Sequence, residues 1–196
     1  MSITLWFDPV CPFTWRTSRW VRDVAARRGE PVTWRFMSLA LLNEGKDLPE
    51  RLHRAHRRSL AALRVLAAAE ERFGQPAVDA LYTAIGHRVH DLDDDLTPDT
   101  IGAALADAGL PSDLLLAADD PGFDTLIGES HRLGQSRVGT ESGSPVTAID
   151  DGPGFFGPVV ASVPAAEEAD RLIDAMRLLS SVPVFSELKR ERAPLS

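Results

Sequence analysis

The only cysteine among 196 residues, Cys11, lies in the stretch Asp-Pro-Val-Cys-Pro-Phe-Thr-Trp at residues 8–15. It follows a strand-like run, Ile3–Phe7, and precedes a proline and a helical pattern. Because proline is favoured at the first helical position, we predict that Cys11 lies at the N-terminal edge of a helix. Unpaired backbone N–H groups and the helix dipole stabilise a thiolate there, so the position predicts a nucleophile with a lowered pKa. The alternative is a buried, inert thiol that fills the core.

Thr14 stands where a Cys-x-x-Cys motif carries its second thiol. Threonine cannot attack a mixed disulfide, so the predicted mechanism is monothiol and needs an external low-molecular-weight thiol to release Cys11. The Thr14 hydroxyl could still donate a hydrogen bond to the thiolate and favour the charged form. The alternative is an ordinary helix-start residue. We assign Pro12, Phe13 and Trp15 to the surface that binds the thiol or substrate, with Phe13 and Trp15 lining an apolar pocket, whereas most tryptophans belong to the core.

The elements that position these residues follow the order strand, helix, strand, several helices, strand, strand and helix. β-Branched and aromatic residues predict strands at Ile3–Phe7 and Val32–Phe36. From about residue 50 to Gly134, segments that begin with proline and end with glycine predict helices. Strand residues return at 145–149 and continue into a hairpin, and a final helix follows.

This order is typical of a thioredoxin fold, an α/β architecture, with a large all-helical insertion between its two halves. We predict a thioredoxin-like domain formed by residues 1–43 and 137–182. Residues 44–136 form the predicted helical insertion domain, and residues 183–196 form a C-terminal tail.

Ser144 and Pro145 form the second candidate segment, directly before the third predicted strand. In thioredoxin folds the loop that faces the reactive cysteine carries a cis-proline, and a cis X–Pro bond is uncommon and usually set in a tight turn. The residue before it offers backbone hydrogen bonds to an extended thiol or peptide. We therefore predict that Ser144 and Pro145 face Cys11 across a cis bond. The alternative is a trans proline that begins a strand.

Composition excludes several classes of function. The formal net charge of −8 at pH 7 disfavours a nucleic-acid or anionic-membrane partner. No run approaches the ~18 apolar residues of a membrane span, and no signal-peptide pattern is present, so we expect a cytoplasmic protein. One cysteine cannot form an intrachain disulfide, which agrees with that expectation. We predict no metal. His87, His90 and the acidic run at 91–95 lack the fixed ligand spacing of a cation-binding loop, and we interpret them as a solvated loop.

Five segments lie in order along nearly the whole chain: 7–15 (FDPVCPFTW), 37–44 (MSLALLNE), 138–145 (VGTESGSP), 155–159 (FFGPV) and 185–190 (FSELKR). Together they resemble the actinobacterial DsbA-like family, which includes the mycothiol-dependent nitroreductases. The resemblance implies a nucleophilic Cys11 serviced by mycothiol and a cis-proline at Pro145. It also places Asn43 near the reactive sulfur, although a loop or cap asparagine is the alternative. Members usually carry Cys-Pro-Trp-Cys, so the Cys-Pro-Phe-Thr of this chain argues against an ordinary dithiol cycle.

A second group, the kappa-class glutathione transferases and hydroxychromene-carboxylate isomerases, is similar in architecture. Its members usually place serine at the reactive position and carry Phe-Gly-Ser-Asp-Arg near the last strand, which binds glutathione. Here Phe156 and Gly157 are followed by Pro158 and Val159, so mycothiol is favoured over glutathione.

Three functions remain open. The first is a monothiol oxidoreductase that reduces a disulfide or a small electrophile. The second is a kappa-like, thiol-dependent transferase or isomerase, and the third is a non-catalytic binding module. The sequence also leaves open whether the chain forms a homodimer.

Overall fold

Four strands form one sheet in the order β2-β1-β3-β4 in the computed structural model, which describes residues 2–150 and 152–191. They are β1 (Ile3–Phe7), β2 (Val32–Phe36), β3 (Val146–Ile149) and β4 (Gly154–Phe156). Strand β1 is parallel to β2 and antiparallel to β3, and β3 is antiparallel to β4. With a crossover helix between β1 and β2, this is the α/β sheet of a thioredoxin fold, as predicted.

The α-helices of the described chain are α1 (Pro12–Arg28), α2 (Leu39–Leu42), α3 (Glu50–Phe73), α4 (Gln75–Gly86), α5 (Pro98–Asp107), α6 (Asp124–Val138) and α7 (Ala166–Ser180). A π-helical turn at His87–Asp91 follows α4, and 3₁₀ turns lie at Ser112–Asp119 and Pro121–Phe123. Throughout the described residues, every regular element between β2 and β3 is helical. None of the described helices is long and apolar enough to cross a membrane.

Helix α1 connects the two parallel strands. Pro12 is its first residue, and Gly29 ends it in a left-handed backbone conformation with φ of 65°, which a residue without Cβ adopts at no steric cost. Its inward face is fully buried at Trp20, Val21 and Val24. They pack in one hydrophobic cluster with apolar residues of β3 and α7.

Four of the five β1 side chains are buried, because helices cover both faces of this central strand. Leu5 and Phe7 belong to the same hydrophobic cluster as Leu66 of α3 and Tyr82 of α4, and the rings of Phe7 and Tyr82 stack with centroids 4.0 Å apart. The helices between β2 and β3 therefore share a core with the sheet. The division of the chain into a domain at 1–43 and 137–182 and another at 44–136 remains a proposal.

Several elements differ from the sequence prediction. Helix α2 and the short π and 3₁₀ turns were not predicted, because each is too short to show a hydrophobic period. The predicted hairpin turn includes Asp151, which lies outside the described residues. Part of the predicted tail also lies outside them, at 192–196. The part at 183–191 has no regular structure, but the Phe185 ring lies 5.8 Å from that of Phe155.

A substitution at Gly86, the last residue of α4, tests how closely this helix packs on α1. A Cβ atom added there would overlap the ring of Trp15. We expect Gly86→Ala to lower the free energy of unfolding by about 1–3 kcal/mol through overpacking, as measured by urea denaturation. The control is Gly102→Ala in α5, where the nearest atom to a new Cβ is Leu115 Cδ2 at 3.7 Å. That change should leave stability unchanged or raise it slightly, and equal stability of the two variants would contradict the packing described here.

Candidate active site

Cys11 is the N-cap residue of α1, with φ of −81° and ψ of 110°. Its N–H donates to the Asp8 carbonyl oxygen at 3.0 Å, and its own carbonyl oxygen accepts from the Trp15 N–H at 3.0 Å. These two bonds turn the chain from the end of β1 directly into the helix. The structure therefore places the sulfur at a helix N-terminus, where the sequence predicted it.

The predicted lowering of the Cys11 pKa is wrong for this structure. Cys11 is only 5% exposed, and burial raises the pKa of its thiol above the ordinary value. Hydrogen bonds from the Thr14 hydroxyl and from the N–H groups of Thr14 and Phe13 lower this pKa, but burial outweighs them, and the nearby charge of Asp8 adds to the rise. The thiol donates to the Ser144 carbonyl oxygen, 3.3 Å away. Without substrate, Cys11 is a neutral, hydrogen-bonded thiol.

A chain of buried hydrogen bonds connects the end of β1 to the sulfur. The Asp8 N–H donates to Ser144 Oγ at 3.1 Å, and Ser144 Oγ forms a short hydrogen bond with Thr14 Oγ1. Because Ser144 Oγ already accepts from Asp8, it can donate its proton to Thr14, and Thr14 can then donate its own proton to Cys11 Sγ. The hydroxyl pair thus directs a donor at the sulfur when the thiol ionises.

The peptide bond between Ser144 and Pro145 is cis, and so is the bond between Gly157 and Pro158. The Pro145 carbonyl oxygen accepts from the Gly157 N–H at 2.9 Å, which joins the two proline segments. The loop before β3 thus faces the N-terminus of α1, and it presents the Ser144 carbonyl and hydroxyl groups to Cys11 and Thr14.

Asp8 is a member of the site that the sequence prediction missed. Its carboxylate is fully buried and accepts hydrogen bonds from the Leu39 N–H at 2.7 Å, the Val10 N–H at 3.0 Å and the Ser59 hydroxyl. Burial raises the pKa of Asp8 to about 6, against the opposing effect of these bonds. Asp8 was interpreted only as a turn residue. Its place directly after a buried strand and three residues before Cys11 was the available signal.

Trp15 is buried in the hydrophobic core, and its indole also contacts polar side chains. The predicted apolar pocket beside Cys11 stays a prediction. Its Nε1–H donates to Asp91 Oδ1 at 2.9 Å, the Arg19 guanidinium lies 3.9 Å from its ring centroid, and the His90 ring stacks against it at 5.8 Å. The cavity that Trp15 lines contains arginine, histidine and aspartate side chains. Sequence spacing placed Trp15 near Cys11 but carried no information about the residues brought there from other helices.

The histidines before the acidic run are also placed differently from the sequence interpretation. His90 donates from Nε2 to the Pro9 carbonyl oxygen at 2.8 Å, and His87 pairs with Asp91 at 3.0 Å. The turn that carries them therefore packs against the loop before Cys11, although residues 91–95 are exposed as expected. Among the described residues, no group of three or more histidine, cysteine, aspartate or glutamate side chains is arranged to hold a metal ion.

The remaining predicted site residues occupy the first turn of α1 and the end of α2. Pro12 and Phe13 are half-buried beside Cys11 in sequence. Asn43 ends α2, and its side-chain amide donates to the Leu39 carbonyl oxygen at 3.0 Å. This is the helix-cap alternative, and its predicted place near the sulfur remains a prediction.

The sheet, the helix-capping cysteine and the facing cis-proline loop are those of a thioredoxin fold with a helical insertion. The chain belongs to the family of the mycothiol-dependent nitroreductase Rv2466c. The sequence model of that family matches residues 10–190 of this chain. It is 33% identical over 198 residues to the protein Rv2286c of Mycobacterium tuberculosis, covering 98% of this chain and 83% of that one.

Solved structures share the fold at low sequence identity. The cytosolic disulfide reductase DsbM of Pseudomonas aeruginosa, solved with GSH, has a TM-score of 0.63 and 14% identity, covering 91% of this chain and 100% of that one. A "probable DsbA oxidoreductase" of Streptomyces coelicolor has a TM-score of 0.61 and 17% identity, covering 97% and 94%. A 2-hydroxychromene-2-carboxylate isomerase has a TM-score of 0.61 and 15% identity, covering 91% and 96%.

Removing the Thr14 hydroxyl tests its effect on the sulfur. We expect Thr14→Val to raise the Cys11 pKa further, because the thiolate loses a hydrogen bond that lowers it. At pH 8 the rate of alkylation by iodoacetamide should fall by about tenfold, the effect of one pKa unit. Thr14→Ser, which keeps the hydroxyl, is the control and should stay near the wild-type rate. Alkylation of the valine variant at the wild-type rate would show that the Thr14 hydroxyl does not affect the Cys11 thiolate.

The raised pKa of Asp8 predicts a pH dependence of stability. Because this pKa is about 6 in the folded chain against an ordinary 3.8, the folded state binds more protons between those values. Stability from Asp8 is therefore present below pH 4 and is lost as the pH rises through 6. We expect the free energy of unfolding of wild type, relative to Asp8→Asn, to fall by about 2 kcal/mol from pH 4 to pH 7 in urea titrations. If the free energies of unfolding of wild type and Asp8→Asn change with pH in the same way, the pKa of Asp8 is ordinary.

Proposed function

We propose that this protein is a monothiol oxidoreductase in which Cys11 is the nucleophile and a low-molecular-weight thiol, mycothiol, restores it. The observation that carries the proposal is the position of Cys11. It caps α1 opposite Ser144, and the Thr14 hydroxyl occupies the place of a second thiol. The cytoplasm is the proposed location. A single cysteine cannot form the intrachain disulfides that are typical of proteins in oxidising compartments.

Cys11 begins the reaction by losing its proton as substrate arrives. The donor chain from Asp8 through Ser144 and Thr14 then holds the thiolate. Cys11 Sγ attacks one sulfur of a disulfide, so that a Cys11 mixed disulfide forms and the other half leaves as a thiolate, which takes up the proton that Cys11 lost. Thr14 has no sulfur with which to displace the bound half. Cys11 therefore stays in the mixed disulfide until an external thiolate attacks it.

The low-molecular-weight thiol supplies the electrons that return Cys11 to the thiol. With a disulfide as acceptor, two thiols are consumed for each disulfide reduced, and Cys11 is unchanged over the cycle. With a small electrophile, Cys11 and one thiol deliver two electrons, the acceptor takes two electrons and two protons, and Cys11 is left as a mixed disulfide. A second thiol then releases it.

Two observations support mycothiol over glutathione. The family is that of a mycothiol-dependent nitroreductase. Gly157 is followed by Pro158, which has no N–H to donate, and the Pro158 carbonyl oxygen already accepts from the Thr17 hydroxyl at 2.7 Å. This segment therefore offers few polar groups to the charged ends of glutathione. Pro12, Phe13, Asn43 and Pro145 are proposed to surround the entering thiol.

A second candidate function is a transferase or isomerase that uses the sulfur of a bound thiol and not that of Cys11. The raised pKa of Cys11 favours this alternative, because a neutral thiol that donates to Ser144 resembles a hydrogen-bonding group more than a nucleophile. The two functions differ in product. A chromogenic electrophile supplied with mycothiol yields a stable thiol adduct in a transferase and a reduced acceptor with oxidised thiol in an oxidoreductase.

Mass spectrometry of the intact protein tests the main proposal. After exposure to oxidised mycothiol, Cys11 should gain the mass of one mycothiol, and it should gain the mass of glutathione from glutathione disulfide more slowly. Cys11→Ser is the control and should gain neither mass. A folded wild-type protein that forms no mixed disulfide at Cys11 would rule out the monothiol mechanism and leave the transferase or isomerase and the binding module as alternatives.

A further variant tests the part assigned to Thr14. Thr14→Cys restores a second thiol one helical turn after Cys11, and should release the bound half from a Cys11 mixed disulfide without added thiol. Mass spectrometry should then show an intramolecular disulfide in place of the adduct. A mixed disulfide that persists in Thr14→Cys would show that residue 14 cannot reach the Cys11 sulfur.

A further inference from the structure

A cavity of about 320 Å³ lies between α1 and the His87–Asp91 turn, lined by Trp15, Arg16, Arg19, His90, Asp91 and Val163. We refer to it as the Arg19 cavity. Its size falls at the lower end of the ~300–1,000 Å³ typical of small-molecule sites. It adjoins the reactive segment, because His90 donates to the Pro9 carbonyl oxygen at 2.8 Å and Trp15 begins about 6 Å along the helix axis from Cys11.

Arg19 is the feature of this cavity that the redox mechanism does not use. Its guanidinium donates to two neutral hydroxyls, Ser18 Oγ at 3.1 Å and Thr83 Oγ1 at 3.4 Å. Within residues 2–150 and 152–191, no carboxylate lies within ion-pairing distance of Arg19. The neighbouring Arg22, in contrast, pairs with Asp79 at 3.0 Å. Burial lowers the pKa of Arg19 and the charge of Arg22 lowers it further, while Tyr82, Asp79 and Asp91 offset this only in part.

The position of the guanidinium is fixed by packing. It lies 3.9 Å from the Trp15 ring centroid, and Trp15 is itself held by its bond to Asp91 and by contact with Gly86. Asp91 accepts from Trp15 with one oxygen and pairs with His87 through the other, and it forms no ion pair with Arg19. A largely buried cation with only neutral partners is costly, and a bound anion would remove that cost.

We infer that the Arg19 cavity binds a carboxylate carried by the disulfide or electrophile that reacts at Cys11. This inference rests on the proposed function, and it adds the chemical class of the substrate. A planar guanidinium recognises a carboxylate by two parallel hydrogen bonds. The residue spacing sets the length of the substrate. Trp15 and Arg19 follow Cys11 by four and eight residues, which is roughly 6 and 12 Å along the axis of α1, so the substrate carboxylate lies at about that distance from the reacting atom.

Binding of a non-reacting pair of ligands tests the inference directly. The probes are 4-nitrobenzoate and its uncharged analogue 4-nitrobenzamide, measured by titration calorimetry with Cys11→Ser, so that no chemistry at the sulfur is needed. We expect the benzoate to bind at least about tenfold more tightly than the amide, and Arg19→Gln in this background to abolish that preference. Equal binding of the two probes, or an unchanged preference in Arg19→Gln, would overturn the inference.

Two further variants separate recognition from folding and from net charge. Arg19→Lys keeps the charge but loses the two-pronged geometry, so it should retain only part of the preference. Arg72→Gln removes one charge from the end of α3, where Arg72 pairs with the exposed Asp113, and should bind as the parent does. Loss of preference in Arg72→Gln as great as in Arg19→Gln would show a general charge effect and contradict the inference. Circular dichroism establishes that each variant is folded.

Reaction of Cys11 with two chromogenic disulfides distinguishes failure of the site from failure of the function. In each reaction Cys11 displaces one aryl thiolate and retains the other half as a mixed disulfide. Arg19→Gln should slow reaction with 5,5′-dithiobis(2-nitrobenzoate) by about tenfold and leave uncharged 4,4′-dithiodipyridine unaffected. A Cys11 inert to both reagents refutes the proposed function while the binding experiment decides the inference. Equal slowing of both reagents counts against the inference.

Discussion

The structure depends on one buried junction, where the end of β1, the start of α1 and the loop before β3 meet. Ser144 holds this junction together. Its hydroxyl accepts a hydrogen bond from the Asp8 N–H and forms another with the Thr14 hydroxyl, and its carbonyl oxygen accepts from the Cys11 thiol. All four residues are nearly inaccessible to water, so each polar group needs a partner within the protein. Sheet register supplies the proximity: Trp6 pairs with Val146, and extending that antiparallel register by two residues brings Asp8 opposite Ser144. Strand pairing therefore sets the position of the sulfur.

The same junction explains why Cys11 is at once well placed and neutral. A helix N-terminus and a hydroxyl donor stabilise a thiolate, whereas burial and the Asp8 carboxylate oppose it, and burial is the largest of these effects. Oxidation of a cysteine follows its thiolate character and exposure. A monothiol protein has no second cysteine to rescue an oxidised sulfur as a disulfide. A buried sulfur whose pKa is raised is thus protected from oxidation.

The local features of the fold could be predicted from sequence, and the long-range features could not. Pro12 and Gly29 mark both ends of α1, and the Thr97 hydroxyl caps α5, because capping depends on adjacent residues. The pKa prediction failed because position at a helix end is visible in sequence, whereas burial is set by the whole fold. Asp8 was missed for the same reason, since its partners Leu39 and Ser59 lie 31 and 51 residues away.

Trp15 shows how the helical segment between β2 and β3 takes part in the site. Its position on α1 is fixed by the thioredoxin-like fold, but the groups around it come from the end of α4 and the π-helical turn. That turn directs His90 to the Pro9 carbonyl and Asp91 to Trp15, so one irregular turn both supports the loop before Cys11 and shapes the adjoining cavity. A π-helical turn commonly marks a functional position, because it changes the direction of side chains within a helix. Two regions of the chain therefore shape the site: the junction at Ser144 surrounds the sulfur, and the helical segment supplies residues to the adjoining cavity.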